Sequence, residues 1–176
     1  MSQQKVPRRF GGLTIIQTMT ILAILGVALF FAQSLYKKQP APAVTFKTLN
    51  GQQLTTESLK GKVVLVNFWA TSCSTCIAEM PELVDTYKKF QGRGLELVAV
   101  AMNYDPPNYV LNYAETRELP FKVALDTDGS VAKSFGDVKL TPTTFLIDKE
   151  GNIVKRYVGK PEFPALHQLL EKSLAA

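Results

Sequence analysis

Cysteine and histidine are scarce in this chain of 176 residues, which contains two cysteines and one histidine. Two cysteines cannot build a framework of several disulfides, and with one histidine they do not supply the four ligands of an ordinary zinc site. We therefore expect no metal and no cofactor. A disulfide between Cys73 and Cys76 would close a very short loop and restrict the unfolded chain little. Redox exchange is thus the stronger interpretation of the pair, and a structural bridge is the weaker one.

Acidic residues are absent from the first 40 positions, which hold five of the 20 basic residues. The remaining 15 basic residues balance the 15 acidic ones, so the net charge of +5 belongs entirely to this N-terminal segment. A basic charge confined in this way is typical of a segment that flanks a membrane, and it does not indicate a nucleic-acid surface. We expect no nucleic-acid partner.

Charged residues are also absent between Phe10 and Tyr36, where the sequence is mostly apolar. About 20 helical residues cross the roughly 30 Å of hydrocarbon in a bilayer. The sequence predicts a cytoplasmic basic N-terminus or leader over 1–12, a single transmembrane helix over 13–35 and a linker over 36–43. Basic residues on the N-terminal side favour a cytoplasmic N-terminus. The remaining chain is then expected on the periplasmic or other extracytoplasmic side of the inner membrane.

Two other interpretations of the N-terminus stay open. The first is a cleaved signal peptide. The apolar region here is longer than the usual length of about 7–15 residues, and the Ala-x-Ala triplet at Ala41–Ala43 contains proline, which makes a poor cleavage site. The segment Gly12–Met19 resembles the start of type IV prepilins, in which a basic leader ends in glycine and Thr14 would be the second mature residue. That family's usual glutamate at the fifth position is Gln17 here. This resemblance implies cleavage after Gly12.

The two cysteines follow an apolar, β-branched run, Val63–Val66, which predicts a buried strand. The residues after Cys73 predict a helix over Ser74–Phe90. Unpaired N–H groups and the positive end of the helix dipole favour an anion at such a helix start, and the thiolate is the nucleophilic form of cysteine. We therefore expect Cys73 to be the attacking thiol and Cys76, one turn further inside, to be less exposed and to act as the resolving thiol.

The region 44–176 alternates strand and helix patterns, which predicts a mixed sheet covered by helices. Strands are predicted at Val44–Phe46, Gln52–Leu54, Lys62–Phe68, Leu95–Met102, Lys122–Leu125, Thr143–Ile147 and Ile153–Val158. Helical segments are predicted at Glu57–Leu59, Ser74–Phe90, Asn108–Arg117, Val131–Phe135 and Phe163–Leu174. A hairpin is expected where Asn50–Gly51 separates the first two strands.

Four motifs carry a resemblance to a known family: Val66–Ala70 leading into the cysteine pair, Glu79–Pro81, Leu125–Gly129 and Thr141–Asp148. Together they resemble the TlpA/ResA-like branch of membrane-anchored thioredoxins over about residues 44–175. The resemblance implies an α/β, thioredoxin-like mixed sheet flanked by helices, with an N-terminal β extension and an inserted helix. It also implies thiol–disulfide exchange outside the cytoplasm.

The same resemblance implies roles for four further residues. Glu79 lies three residues after Cys76, on the same helical face, and would accept the Cys76 proton; its alternative interpretation is a surface glutamate. Thr141 and Pro142 are expected to form a cis peptide beside the cysteines, so that the Thr141 backbone can pair with a substrate. Trp69 is expected to pack in the core or at the rim near the site, and it is assigned to substrate binding. Asn67 stands where thioredoxins usually have a buried acid.

Two positions depart from the family pattern. Ser72 replaces a frequent tryptophan before the first cysteine, and Ser74–Thr75 separates the two cysteines. The redox potential should therefore not be transferred from a relative.

These observations predict a membrane-tethered thiol:disulfide oxidoreductase that reduces disulfides of exported proteins, for example in cytochrome c maturation. A membrane electron donor would re-reduce it. One alternative is a disulfide oxidase or isomerase. Another is a pilin-like assembly protein that uses the thioredoxin-like domain as a binding module.

Overall fold

Two stretches of the chain, residues 15–35 and 38–176, are described by the computed structural model. The first forms helix α1, Ile15–Leu35, and the second forms a separate domain. Within these two stretches, no helix is found to be long and apolar enough to cross a membrane. The transmembrane helix predicted over 13–35 is therefore not confirmed. The predicted N-terminus or leader over 1–12 lies outside the described residues.

Eight strands within residues 38–176 build a single mixed sheet. They are β1 (Gln39–Pro40), β2 (Thr45–Thr48), β3 (Gln53–Thr55), β4 (Val63–Trp69), β5 (Leu95–Ala101), β6 (Lys122–Leu125), β7 (Thr143–Ile147) and β8 (Asn152–Val158). Their order across the sheet is β1-β8-β7-β4-β5-β6-β2-β3. Strands β4, β5 and β6 run parallel, whereas β7 is antiparallel to β4 and β8. The predicted mixed sheet is confirmed.

Four helices accompany the sheet in this domain: α2 (Ser74–Phe90), α3 (Pro107–Thr116), α4 (Ser130–Ser134) and α5 (Phe163–Ala175). Helix α3 connects the parallel strands β5 and β6. The start of helix α4 is bonded to Asp126, which precedes the helix in the chain. The buried carboxylate of Asp126 accepts hydrogen bonds from the backbone N–H groups of Val131 and Ala132 at 3.0 and 2.8 Å. This satisfies donors that a helix start leaves unpaired.

Strand β4 lies at the centre because its seven residues, Val63–Trp69, are all buried. Successive side chains of a strand point to opposite faces of the sheet, and those of β4 divide between two apolar clusters. Odd-numbered residues join a cluster with α2 and α5, which includes Val63, Leu65, Trp69, Leu83, Leu166 and Leu170. Even-numbered residues join the cluster on the other face, which includes Val64, Val66, Phe68, Phe135 and Phe145. By this alternation Asn67 faces α2.

The edges of the sheet contain one predicted and one unexpected pairing. Strands β2 and β3 form the expected antiparallel hairpin around Asn50–Gly51, and Gly51 adopts a φ of +78° that favours glycine. At the other edge, Gln39 and Pro40, which the sequence analysis assigns to a linker, pair with β8 as β1. Proline is acceptable there because an edge strand can leave one side of its backbone unpaired.

Candidate active site

Cys73 occupies the N-cap position of α2, four residues after the end of β4. Its Sγ accepts the backbone N–H of Cys76 at 3.2 Å. Cys76 is fully buried, whereas Cys73 remains partly exposed. The expected difference in exposure between the cysteines is confirmed. Because the helix start offers N–H donors and a positive dipole end, the site stabilises a thiolate at Cys73.

The two sulfurs are joined in a Cys73–Cys76 disulfide. Cys73 Sγ also lies 3.6 Å from the carbonyl oxygen of Thr141. A disulfide sulfur carries no hydrogen, so this is a contact here, and a reduced Cys73 thiol could donate to the same oxygen. The peptide between Thr141 and Pro142 is cis, as predicted. The loop before β7 therefore presents backbone directly beside the cysteine that is nearer to solvent.

Glu79 belongs to the buried stripe of α2, whose members recur at helical spacing: Cys76, Glu79, Met80, Leu83, Thr86 and Phe90. Its side chain has no exposed surface, which excludes the interpretation as a surface glutamate. Burial raises the pKa of Glu79 to about 7, although the hydrogen bond from Asn67 and the charge of Lys160 oppose the rise. A carboxyl with this pKa can release and accept protons near neutral pH.

Asn67 supplies the hydrogen bond that Glu79 receives from the sheet. Its Nδ2 donates to Glu79 Oε1 and to Thr144 Oγ1, both at 2.9 Å. Glu79 Oε2 and Asn67 Oδ1 are buried without a hydrogen-bond partner. A buried acceptor left unpaired costs about 1–3 kcal/mol. The hydrogen bond from Asn67 favours the ionised carboxyl, so the raised pKa of Glu79 comes from burial and not from its bonding.

Trp69, which the sequence analysis assigns to substrate binding, is fully buried. Its ring packs 5.3 Å from that of Tyr113 on α3, as measured between ring centroids. A side chain without exposed surface cannot contact a substrate in this state, so the assignment is corrected: Trp69 is a core residue beneath the site. The physical reason is its odd position in β4, which directs it into the apolar cluster under α2.

The sequence analysis missed a bonded pair next to the cysteines, Thr71 and Asp105. Asp105 Oδ2 accepts the Thr71 backbone N–H at 2.6 Å, and Oδ1 accepts the Thr71 hydroxyl at 2.5 Å. Asp105 is buried although it carries a carboxylate. Its position could have given a signal, because β4 and β5 are parallel neighbours and end at the same edge of the sheet. Polar residues just beyond those two ends are therefore close in space.

In the part of the chain that is described, no group of three or more histidine, cysteine, aspartate or glutamate side chains is arranged to hold a metal ion.

Comparison with known proteins agrees with this geometry. The Redoxin family model matches residues 37–170. Thiol-disulfide oxidoreductase ResA of Bacillus subtilis is 33% identical over 157 residues, covering 86% of this chain and 87% of that protein. The ResA of Bacillus thuringiensis subsp. konkukian is 34% identical over 132 residues, covering 75% of each chain.

Solved structures of thioredoxin-family proteins also resemble the domain. A thiol:disulfide interchange protein of the thioredoxin family from Chlorobium tepidum is 30% identical with a TM-score of 0.71, covering 78% of this chain and 97% of that one. The thioredoxin domain of a thiol-disulfide oxidoreductase from Bacteroides vulgatus is 28% identical with a TM-score of 0.66, covering 76% and 96%.

The chain belongs to the redoxin family and has the thioredoxin-like fold of the TlpA/ResA-like branch. Its activity is that of a thiol-disulfide oxidoreductase of the ResA type, with Cys73 and Cys76 as the cysteine pair.

Proposed function

We propose that this oxidoreductase is tethered to the inner membrane and reduces disulfides in exported proteins, with Cys73 as the attacking and Cys76 as the resolving thiol. The observation that carries the assignment of roles is the burial of Glu79 one helical turn after Cys76. A buried carboxyl with a pKa of about 7 is suited to take a proton from a buried thiol.

In the first step the Cys73 thiolate attacks one sulfur of a substrate disulfide. A bond forms between Cys73 Sγ and that sulfur, and the other substrate sulfur leaves as a thiolate. The N–H of Cys76, which points at Cys73 Sγ, stabilises the attacking anion. The backbone of Thr141 at the cis peptide lies beside Cys73 Sγ, and this position supports docking of an extended substrate segment by strand addition.

In the second step Glu79 accepts the proton of Cys76, and the Cys76 thiolate attacks Cys73 Sγ. The mixed disulfide breaks, the second substrate sulfur leaves as a thiolate, and the Cys73–Cys76 disulfide remains. Two electrons have then passed from the protein to the substrate. A membrane electron donor must return two electrons to the pair, and the proton held by Glu79 returns to Cys76, before the next cycle.

The membrane tether is proposed from the sequence of the N-terminal segment. Its support is the uncharged stretch between Phe10 and Tyr36, bordered by basic residues at both ends. About 20 such residues suffice to span a bilayer as a helix, and the basic leader favours a cytoplasmic N-terminus. The domain then lies on the extracytoplasmic side of the membrane, together with exported proteins. In that compartment a cysteine pair meets disulfide-bonded partners.

Trapping of mixed disulfides tests the proposal. Cys76→Ser should accumulate adducts on Cys73, because attack proceeds and resolution is lost. Cys73→Ser should abolish disulfide reduction and form no adducts, and the double serine variant is the control for incidental capture. Mass spectrometry of the adducts would identify the substrates, among which apocytochromes c are one candidate class. Adducts on Cys73→Ser but none on Cys76→Ser would reverse the assigned roles.

The direction of exchange is tested by the reduction potential. Equilibration with glutathione buffers should give a value closer to that of thioredoxin, about −270 mV, than to that of DsbA, about −120 mV, because a reductase must hold its electrons weakly. A value near −120 mV, typical of the strong oxidant DsbA, would favour the alternative function of a disulfide oxidase.

Topology and processing are tested separately. A reporter that works only after export, fused behind Ala176, should be active, and the intact protein should fractionate with membranes. Activity of a cytoplasm-specific reporter at the same position would contradict the proposed orientation. N-terminal sequencing decides on the pilin-like alternative, because cleavage after Gly12 would support it and an intact N-terminus would not.

A further inference from the structure

We propose that Asp105 is a positioning residue for the attacking cysteine: its buried carboxylate holds the turn that leads into Cys73, and its negative charge opposes ionisation of the Cys73 thiol. This inference rests on the proposed role of Cys73 as the nucleophile. It concerns a residue outside the cysteine motif and outside the set identified from the sequence.

The carboxylate of Asp105 makes two bonds to one residue of the active-site turn. Thr71 offers its backbone N–H to Oδ2 at 2.6 Å and its hydroxyl to Oδ1 at 2.5 Å. Hydrogen bonds to an ionised acceptor are about twice as strong as neutral ones. Because Asp105 is only 5% exposed, water competes little for these donors. The turn is therefore fixed at a point two residues before Cys73.

Two backbone bonds also hold this turn. The N–H of Met102, after β5, donates to the carbonyl oxygen of Trp69 at 3.0 Å, and within the turn the N–H of Cys73 donates to that of Ala70 at 3.2 Å. The loop after β5 thus holds the start of the turn at Trp69 through its backbone and Thr71 through the side chain of Asp105. Loss of the Asp105 bonds would leave the Met102–Trp69 bond as the backbone connection between this loop and the turn.

The charge of Asp105 acts against the N-terminus of α2. That helix favours a thiolate at Cys73 and has no acidic residue in its first turn. Thr71 and Cys73 are two residues apart, so their Cα atoms are separated by at most about 7 Å. A negative charge bonded to Thr71, in the turn that leads into Cys73, raises the energy of a thiolate on that cysteine. Glu79, three residues after Cys76 on the same helix, is a second buried carboxyl; it accepts a hydrogen bond from Asn67, and the charge of Lys160 acts to lower its pKa.

This opposition has a consequence for the direction of exchange. An oxidoreductase whose reduced form is strongly stabilised is an oxidant, as in DsbA, whose attacking cysteine has a pKa near 3.5. A carboxylate that destabilises the Cys73 thiolate makes the reduced pair a better electron donor. Asp105 therefore biases the site towards reduction.

The substitution Asp105→Asn separates charge from bonding. An asparagine can accept the Thr71 N–H with its oxygen and donate its amide to the Thr71 hydroxyl, so both bonds are retained while the charge is lost. Thr71→Val does the converse, because it keeps the carboxylate and removes its hydroxyl donor. Thr71→Ser restores that donor and serves as the matched control.

The readout is the pKa of the Cys73 thiol, measured from the pH dependence of alkylation in a Cys76→Ser background. We expect Asp105→Asn to increase the thiolate fraction below the thiol pKa about 3- to 10-fold. Thr71→Val should decrease it about 2-fold because the carboxylate is then less neutralised, and Thr71→Ser should match the parent. With both cysteines present, and at a pH above the Cys73 pKa where the reduced cysteine is mostly thiolate, Asp105→Asn should raise the reduction potential by about 15 to 30 mV, the same fold-change converted at about 30 mV per factor of ten.

Shifts in the same direction for Asp105→Asn and Thr71→Val would overturn the inference, because a purely structural role moves both alike. An unchanged thiol pKa in Asp105→Asn would also overturn it. If Asp105→Asn does not fold, Thr71→Val decides: no decrease in thiolate fraction contradicts the proposal. Alkylation needs no protein substrate, so opposite shifts in a protein that reduces no disulfide would reject the proposed function and leave the inference standing.

Discussion

Glu79 and Glu96 are both buried glutamates, yet their pKa values are shifted in opposite directions from the ordinary value of a glutamate carboxyl. Glu79, on α2, has no exposed surface and receives one hydrogen bond from the neutral amide of Asn67. Glu96, on β5, is 5% exposed and pairs with Lys62 at 3.1 Å and Lys122 at 2.8 Å. Burial raises the pKa of Glu79 to about 7. Burial also acts to raise that of Glu96, but the bonds and charges of its two lysines hold its pKa below the ordinary value.

The difference teaches that the partner, and not burial, decides what a buried carboxyl can do. Two cations keep Glu96 ionised at all physiological pH values, so it can only hold β5 to its neighbours. One neutral donor leaves Glu79 balanced between its two protonation states near pH 7. A proton can then move on and off Glu79 during exchange, whereas Glu96 has no such freedom.

The largest expected effect is a pH-dependent stability difference at Glu79. A carboxyl whose folded pKa is raised stabilises the fold fully below its unfolded pKa of about 4.5, and this stabilisation is lost as pH rises through the folded pKa of about 7. Glu79→Gln stays neutral throughout. Urea unfolding of the oxidised variant should therefore show a gain over the parent that grows between pH 4.5 and 7, up to about 3 kcal/mol.

Glu96 provides the opposite sign for this measurement. Its lowered pKa contributes stability above the unfolded value, and this stability is lost as pH falls through the folded pKa. Glu96→Gln should therefore differ most from the parent near neutral pH and converge with it in acid. If the difference between Glu79→Gln and parent stayed constant from pH 4 to 8, Glu79 would be ionised like Glu96 and the comparison would fail.

The second prediction concerns turnover. Glu79→Gln should slow disulfide reduction about 10- to 100-fold, at the lower end of general acid–base effects, because Cys76 loses its proton acceptor. Formation of the first mixed disulfide should change less than its resolution, which stopped-flow kinetics can separate. Asp85→Asn, six residues further along α2 and exposed, is the matched control, because Asp85 is not among the groups that shift the pKa of Glu79. Equal turnover and alkylation profiles in parent and Glu79→Gln would remove Glu79 from the mechanism.

The third prediction is a loss of stability without a loss of activity. Glu96→Gln removes the charge that Lys62 and Lys122 share, which should cost about 1–2 kcal/mol at pH 7, less than a fully buried pair because both lysines are partly exposed. The variant should reduce disulfides at the same rate as the parent. Glu57→Gln, which breaks an exposed pair with Lys60, should cost less. A slower Glu96→Gln enzyme would mean that both buried carboxyls serve the chemistry.

Much of this comparison could be predicted from the sequence, and its decisive part could not. Helical spacing places Glu79 on the face of Cys76, and the apolar run predicts β4. The sequence does not predict the burial of Glu79, because a single glutamate beside an apolar helical stripe is equally compatible with a surface position. The partners of Glu79 and Glu96 come from Asn67, Lys62 and Lys122, which are distant in sequence and meet them through strand pairing and helix packing.

The same limit explains the errors at the site and the edge. Trp69 belongs to a motif near the cysteines, but only the alternation of β4 within the folded sheet decides that it points into the core. Asp105 has no motif of its own, and it reaches Thr71 because β4 and β5 end side by side. The pairing of Gln39 with β8 depends on a free sheet edge more than 100 residues away along the chain, which no local pattern encodes.

The smallest expected effect tests whether a cation can move Glu79 towards the behaviour of Glu96. Lys160 forms an ion pair with Glu82 and lowers the pKa of Glu79 through its charge. Its side chain is 43% exposed, so solvent and salt weaken this field. Lys160→Gln should raise the pH at which resolution becomes half-maximal by about 0.3 unit. The measurement is the pH profile of mixed-disulfide resolution in the variant and the parent.

Salt and a second lysine complete this test. Raising the ionic strength should shift the parent in the same direction as Lys160→Gln and leave the variant nearly unchanged, because the screened charge is already absent. Lys60→Gln, which removes another exposed ion pair, with Glu57, should leave the profile in place, because Lys60 is not among the charges that shift the pKa of Glu79. An equal shift in both lysine variants would attribute the effect to net charge. A profile that moved in neither variant would mean that burial and the hydrogen bond from Asn67, without any cation, set the ionisation of Glu79.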